Sequence, residues 1–315
     1  MDKDEKRRIV LTGAGGFIGS RLVHALLASP DYSDCNFALI DVTAPSTFET
    51  DRIEMITGDL TDAGVLDRAF STPANIVFHL GSILGGAAEA DPVRARKTNV
   101  DATLDMLERL QIAQNRPRVV FASSVAVFGP DQTDPVDDET TPRPAMVYGC
   151  HKRMIEIAIE HMSGRGWIDG LALRLPGIVA RRDTDQRLRS AFMNTLFFDF
   201  AAGRAQSLPV SADGAAWWLS VSACVACLVH AGSIAPERLG TRRAFTLPAQ
   251  KISFRALIDG LAQRFPDSGA TVAFHPDPDV ERQFGRQPDL KTPLADSLGF
   301  RHDGNVDALI RRIFE

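Results

Sequence analysis

The chain predicts an α/β protein built on a doubly wound parallel sheet, with a smaller α+β lobe after it. Three observations carry that prediction. Short strand-like runs alternate with helix-like stretches through the first half, the order that βαβ units impose. Several of these runs are apolar at nearly every position, as in strands covered on both faces. The first run passes into a glycine-rich turn that opens a helix.

Taken in order, strands are expected over residues 8–12, 37–41, 53–57, 76–80 and 119–123. Helices are expected between them over 17–27, 62–71 and 99–115. A further helix should run from about 146 to 165, followed by a strand near 171–175. After Pro176 the alternation weakens. An Arg-rich, Asp-containing segment (181–189) precedes a helix-like stretch (190–203), an apolar run (217–231) and a last helix (305–314). The expected division is 1–175 for the sheet domain and 176–315 for the smaller lobe, with some later strands able to return to the first sheet. Internal repeats and low-complexity tracts are absent from the sequence.

Composition bounds the function. With 315 residues the chain can bury a large core without metal or disulfide staples. The 35 Lys and Arg residues against 40 Asp and Glu leave a net charge of −5, which argues against a nucleic-acid surface. Apolar runs stay short of the roughly 18 residues of a membrane span. The charged start leads directly into a strand, with no signal-peptide core between them. Four cysteines, Cys35, Cys150, Cys224 and Cys227, are too few and too scattered for a disulfide framework, so a cytoplasmic location is expected.

The turn Gly13-Ala-Gly-Gly-Phe17-Ile18-Gly19 has the form of a Rossmann dinucleotide site. A pyrophosphate there needs a tight turn, backbone approach without a Cβ, and close helix–sheet packing, which Gly13, Gly16 and Gly19 can supply in that order. The helix start at Phe17 and Ile18 then offers free N–H groups and a positive dipole end. Asp41 ends the second strand about 20 residues on, where a carboxylate accepts hydrogen bonds from the adenosine ribose and repels a 2′-phosphate. NAD is therefore expected over NADP. Asp59 and Leu60, after the third strand, can flank the adenine, and Asp59 can equally cap a helix.

Only two tyrosines occur, and Tyr148 stands four residues before Lys152. On a helix these share a face, so the ammonium should favour the phenolate and lower the tyrosine's proton affinity. A phenol tuned in this way can act as general base toward an alcohol. Ser123 and Ser124 end the fifth strand, at the edge of a parallel sheet where ligands bind. The plainer reading of such a Tyr/Lys pair, two exposed residues on a helix, loses force beside the serines and the glycine turn.

Together with Gly58-Asp59-Leu60, His79-Leu80-Gly81-Ser82, Asn99-Val100, Ser123 to Gly129, Tyr148-Gly-x-x-Lys152 and Leu173-Arg174, the glycine turn resembles the extended short-chain dehydrogenase/reductase family. The resemblance spans residues 8–180. It implies that Ser124, five residues before Gly129, is the catalytic hydroxyl rather than Ser123, with Tyr148 as base. It also implies that Lys152 holds the nicotinamide ribose and that the Leu80-Gly81-Ser82 backbone lies along the cofactor. Asn99 would support the site, and Pro176 and Ile178 would touch the nicotinamide. A homodimer paired through the helices starting near Asn99 and Met146 is implied as well.

Departures narrow the substrate. Gly81-Ser82 replaces the family's Ala-Ala, Phe128 replaces a tyrosine, and Leu175-Pro176-Gly177-Ile178 stands where epimerases carry an aromatic–Asn segment. The late Val-Asp-Asp pattern is replaced by Trp218 to Ser222. These changes weaken a nucleotide-sugar assignment. Leu173 to Pro176, Trp217 to Ser220 and Gly166 to Gly170 are similar to a narrower group that oxidises small sugar acids, such as D-erythronate, at C2. A carboxylate substrate needs a cation or clustered N–H donors. Arg182 beside Arg181, and the loop at Gly85, are the candidates, with Ser124 and Tyr148 at the reacting hydroxyl. The alternatives are an NAD-dependent nucleotide-sugar epimerase or dehydratase and a noncatalytic dinucleotide sensor. A sensor would be expected to lose Tyr148 or Lys152. Cys224-x-x-Cys227 and the tryptophans Trp217 and Trp218 read as core, and no metal site is expected.

Overall fold

A strongly apolar first strand, β1 (Arg7–Thr12), is buried at its last four positions and sets the frame for everything that follows. In this computed structural model, residues 6–43, 50–182 and 189–315 are described. After β1 come α1 (Phe17–Ala28), β2 (Cys35–Asp41), β3 (Ile53–Thr57), α2 (Ala63–Ala69), β4 (Ile76–His79), α3 (Gly85–Ala90), α4 (Pro92–Arg96), α5 (Ala102–Ala113), β5 (Arg118–Ser124), α6 (Val147–Gly164) and β6 (Asp169–Leu175). The second half adds β7 (Gly177–Val179), α7 (Ala191–Ala201), β8 (Gln206–Leu208), β9 (Ala215–Ser220), α8 (Val221–Ser233), α9 (Pro236–Leu239), β10 (Ala244–Thr246), β11 (Gln250–Ser253), α10 (Phe254–Arg264), β12 (Val272–Phe274), α11 (Pro278–Val280), α12 (Pro293–Leu298) and α13 (Val306–Phe314).

Seven strands form a parallel Rossmann sheet in the order β3-β2-β1-β4-β5-β6-β10. β1 pairs in parallel with β2 on one side (Leu11 opposite Leu39) and with β4 on the other (Leu11 opposite Phe78). The strand order therefore reverses between β1 and β4, where open α/β sheets bind ligands at the carboxyl ends of their strands. The doubly wound sheet expected from the sequence is present.

The described residues group into two compact units. One holds residues 1–127, 142–174 and 225–245, the other 128–141, 175–224 and 246–315. The handover at Arg174 to Leu175 lies beside the expected boundary, while 128–141 joins the second unit and 225–245 the first. A buried ionic cluster accounts for the return. Asp169 accepts from Arg118 Nε (2.9 Å) and from Arg243 Nη1 (2.9 Å). Arg118 also donates to the carbonyls of Ala231 (2.6 Å) and Ile234 (2.6 Å), which ties the end of α8 to the sheet. Buried charges persist where they are paired and hydrogen-bonded in this way.

In the second unit β9 lies between β7 and β11, and β8 pairs with β12. Trp218 fills its core, edge-on to Phe197 (6.1 Å) and Phe254 (5.4 Å), a preferred aromatic geometry. Trp217 is also fully buried and donates its indole N–H to Pro288 O (2.8 Å). The apolar run 217–231 comprises the end of β9 and most of α8. Ser220 ends β9 and its hydroxyl accepts from Ala223 N (3.1 Å), so it caps the first turn of α8. The helix expected over 99–115 likewise begins as a π-helical turn, Lys97–Asp101, before α5.

Candidate active site

The glycine turn joins β1 to α1. Gly13 N donates to Ile40 O (2.9 Å) and Ala14 N to the same oxygen (3.2 Å), which fixes the turn to β2. Gly13 has φ +74°, and a Cβ there would stand 2.8 Å from Gly81 N. Glycine is therefore required both by conformation and by the approach of the Leu80–Gly81 backbone. A Cβ on Gly19 would lie 1.9 Å from Gly13 O. Gly16 precedes the first turn of α1 at Phe17 and Ile18 without a capping side-chain hydrogen bond. This leaves the helix start with the N–H groups and dipole that suit an anion.

Asp41 reaches the turn from the end of β2. Its Oδ2 accepts from Gly15 N (2.9 Å) and its Oδ1 from Thr43 N (3.2 Å). Leu60 packs near Gly81, where its Cδ1 would lie 2.8 Å from an added Cβ. Asp59 does not cap a helix. Its Oδ1 accepts from Thr61 N and Thr61 Oγ1 (both 2.9 Å), and Asp62 caps α2 by accepting from Gly64 N (2.8 Å).

The loop after β4 is held from both sides. Gly81 N donates to Thr12 Oγ1 (3.0 Å). Asn99, buried in the π-helical turn, accepts from Ile83 N (2.7 Å) and donates to Ile83 O (2.9 Å). π-Helical turns recur at functional sites. Ser82 lies between these two anchors.

Tyr148 lies in the first turn of α6, and Gly149 lets that helix sit close to the end of β5: a Cβ there would stand 2.3 Å from Ala126 O. The side chains of Ser82 and Ser124 act on the Tyr148 hydroxyl, each favouring its ionised form. Ser124 Oγ also accepts from Ala126 N (3.1 Å). Lys152 Nζ lies 4.6 Å from the centre of the Phe121 ring and 5.4 Å from that of Tyr148.

The electrostatics correct the sequence expectation. Burial pushes the Tyr148 phenol up to about 12, and Ser82 and Ser124 are what oppose it. Burial also brings Lys152 down to about 7, opposed by the charge of Glu156. Loss of hydration outweighs the opposing neighbours in each case, the two serines for Tyr148 and the Glu156 charge for Lys152.

Two further groups had no role in the sequence reading. Glu156 is fully buried four residues beyond Lys152, accepting from Ser123 Oγ (2.6 Å), Arg174 Nε (2.9 Å) and Arg153 Nη1 (3.1 Å). Its spacing on the face of Tyr148 and Lys152 was a usable signal. Ser123 is thereby directed to Glu156 and Ser124 to Tyr148. The second group is His79, whose partners are described below.

In the first unit the structure thus brings together Gly13, Gly16, Phe17, Ile18, Gly19, Asp41, Asp59, Leu60, Leu80, Gly81, Ser82, Asn99, Ser124, Tyr148 and Lys152 along the carboxyl ends of β1 to β5 and the helix starts beside them. Gly85 opens α3. Pro176, Ile178 and Arg182 belong to the second unit, where Ile178 pairs with Leu219 in β9. The Arg182 guanidinium stacks 4.1 Å over Phe198, and most of the Arg-rich segment beyond it lies outside the described residues. None of the four cysteines is joined in a disulfide, and Cys224 and Cys227 are buried in α8. Among the described residues, no cluster of three or more His, Cys, Asp or Glu side chains could hold a metal, and no helix is long and apolar enough to cross a membrane.

The sequence profile of the NAD dependent epimerase/dehydratase family matches residues 9–233. A D-erythronate dehydrogenase of Cupriavidus necator is 34% identical over 98% of this chain and 98% of its own length. The protein of that name from Haemophilus influenzae is 28% identical, covering 98% and 99% of the two chains. Among solved structures, a nucleoside-diphosphate-sugar epimerase from Agrobacterium tumefaciens superposes with a TM-score of 0.90 at 27% identity, over 97% of this chain and 92% of that one. An L-threonine dehydrogenase from Cupriavidus necator has the same fold, with a TM-score of 0.83 at 19% identity over 97% and 98%.

Proposed function

The chain belongs to the NAD-dependent epimerase/dehydratase family, and we propose that within it this protein is a dehydrogenase that uses NAD to oxidise the C2 hydroxyl of a small sugar acid such as D-erythronate to the 2-oxo acid. The observation that carries the reading is the Tyr148–Lys152 pair on α6, with Lys152 Nζ 5.4 Å from the Tyr148 ring centre, and Ser82 and Ser124, where β4 and β5 end, favouring ionisation of the phenol. The similarity to D-erythronate dehydrogenases along nearly the whole chain supports the substrate class.

The residues present fit a nicotinamide dinucleotide. The uncapped start of α1 and the Cβ-free cradle at Gly13 suit its pyrophosphate. Gly16, Phe17, Ile18 and Gly19 would hold the phosphates, and Asp41 the adenosine ribose in preference to a 2′-phosphate. Asp59 and Leu60 would flank the adenine. Leu80, Gly81 and Ser82 would line the cofactor with Asn99 behind them, and Lys152, Pro176 and Ile178 would serve the nicotinamide end. Nicotinamide, when bound, supplies the acceptor for the hydride that leaves the carbinol carbon. Tyr148 takes the alcohol proton, and Ser124 holds the reacting oxygen by a hydrogen bond. Gly85 and Arg182 would receive the substrate's carboxylate end.

In this reading residues 1–175 hold most of the dinucleotide, with Pro176 and Ile178 at its nicotinamide end, and 176–315 is otherwise the substrate lobe. A cytoplasmic setting accords with four cysteines that form no disulfide. Exposed Leu104 and Ile112 on α5, with Met154 and Ile157 on α6, support a homodimer paired through these helices, which sedimentation at graded concentrations tests.

Trapping the carbonyl product as a hydrazone and locating the oxidised carbon by NMR tests the chemistry. A 2-oxo acid is expected, and a 3-oxo acid would reject the C2 assignment. The 27% identity to a nucleoside-diphosphate-sugar epimerase favours a second reading, an NAD-dependent nucleotide-sugar epimerase or dehydratase. That reading predicts coenzyme that copurifies and no net reduction of it.

A further inference from the structure

His79 ends β4 only 2% exposed, stacked 5.7 Å from Phe121. Its Nε2 lies 2.8 Å from Thr103 Oγ1, and its Nδ1 lies 2.7 Å from Thr12 Oγ1. The proton positions follow from the partners. Thr103 donates its only hydroxyl proton to Asn99 O (3.0 Å), so it must accept from His79 Nε2–H. Nδ1 is then the acceptor, and Thr12 donates to it. The Thr12 oxygen in turn accepts from Gly81 N (3.0 Å). One directed chain therefore runs from Gly81 N–H through Thr12 and His79 to Thr103 and Asn99. Asn99 closes it by clamping Ile83 from the other side (2.7 and 2.9 Å).

The loop between those anchors holds Gly81, which abuts the Gly13 turn, and Ser82, whose side chain favours ionisation of Tyr148. We propose that His79 is a positioning residue: as a neutral imidazole carrying its proton on Nε2, it holds the Leu80–Ile83 loop against the end of β1 and so sets both the dinucleotide cradle and the Ser82 contact with Tyr148. Protonation would place a second donor opposite the Thr12 hydroxyl and break the direction of the chain. Burial, with the nearby Lys152 charge, holds His79 down at about 3, consistent with a ring that stays neutral. The cradle half of the proposal rests on the dinucleotide reading above; the tyrosine half does not.

The test uses the full-length protein with Tyr32→Phe, which leaves Tyr148 as its sole tyrosine, labelled as meta-fluorotyrosine. Fluorine NMR of the coenzyme-free protein gives the Tyr148 titration midpoint, and fluorescence titration gives NAD affinity. His79→Leu is expected to weaken NAD binding about tenfold, the scale of one buried hydrogen bond left unmade, and to raise the Tyr148 midpoint. Thr12→Val should do the same, and the double variant should add nothing further, because both cut one chain. Thr12→Ser, which keeps the hydroxyl, should restore parental behaviour.

Additive losses, or a folded His79→Leu with parental affinity and midpoint, would overturn the proposal. If His79→Leu does not fold, His79→Asn decides. It keeps an acceptor for Thr12 and loses only the Thr103 bond, so its NAD affinity is expected to lie nearer the parent's than that of Thr12→Val, and a parental affinity in Thr12→Val itself would overturn the proposal. A parent protein that fails to bind NAD removes the dinucleotide reading, and the fluorine titration then decides the role of His79 alone.

Discussion

The ammonium of Lys152 lies 5.4 Å from the centre of the Tyr148 ring. The two residues share a face of α6 as their spacing requires, but burial acts on both. It draws Lys152 down to about 7 and Tyr148 up to about 12. The phenol is therefore protonated at neutral pH in the coenzyme-free protein, and Ser82 and Ser124 are the groups that favour its ionisation.

Alcohol oxidation by this site should speed up with pH. The reactive phenolate fraction grows about tenfold per pH unit below the tyrosine's midpoint, so kcat/KM for oxidation is expected to climb between about pH 7 and pH 10. Tyr148→Phe should lower turnover by at least about a hundredfold while NAD binding, followed by fluorescence, stays near parental. A flat profile, or a turning-over Phe variant, would remove Tyr148 from the base role.

The buried Lys152 makes a second prediction, on stability. An unfolded chain keeps this lysine protonated to its ordinary 10.5, the folded chain only to about 7. Between those values the unfolded state binds more protons, so the lysine's contribution makes stability rise with pH across that window. Lys152→Met removes the contribution. The variant's stability relative to the parent, from urea midpoints, should be greatest near pH 7 and shrink toward pH 10. A constant difference would show that Lys152 is not desolvated as described.

These effects separate what the residues announce locally from what only the fold decides. The turn at Gly13, the carboxylate at the end of β2 and the alignment of Tyr148 with Lys152 are local chemistry, and each was readable from spacing. Burial of Lys152 depends on Phe121 and Tyr148 meeting around it, and a sequence carries no sign of that dielectric. The return of Val225–Phe245 to the first unit depends on Arg118 meeting Asp169, 51 positions away, and on Arg243, 74 positions from Asp169. Nothing in their neighbourhoods marks them as partners. The break at Ser220 was hidden because β9 and α8 are apolar alike and abut without a loop.

Asp41 should govern coenzyme choice. Its carboxylate is already fixed by Gly15 N (2.9 Å) beside the cradle, so a 2′-phosphate would meet a held negative charge. Asp41→Ala should lower the preference for NAD over NADP by about tenfold or more, the scale of one charge-assisted hydrogen bond, as read from the ratio of kcat/KM values. An unchanged ratio would assign Asp41 to the turn alone.

The most direct measurement is formation of reduced coenzyme by the purified protein with NAD and a panel of short aldonates, D-erythronate among them, beside matched UDP-sugars. Rapid NADH formation with one aldonate, and none with the UDP-sugars, is the expected result. Interconversion of a UDP-sugar with no NADH from any aldonate would contradict it and place the protein among the epimerases.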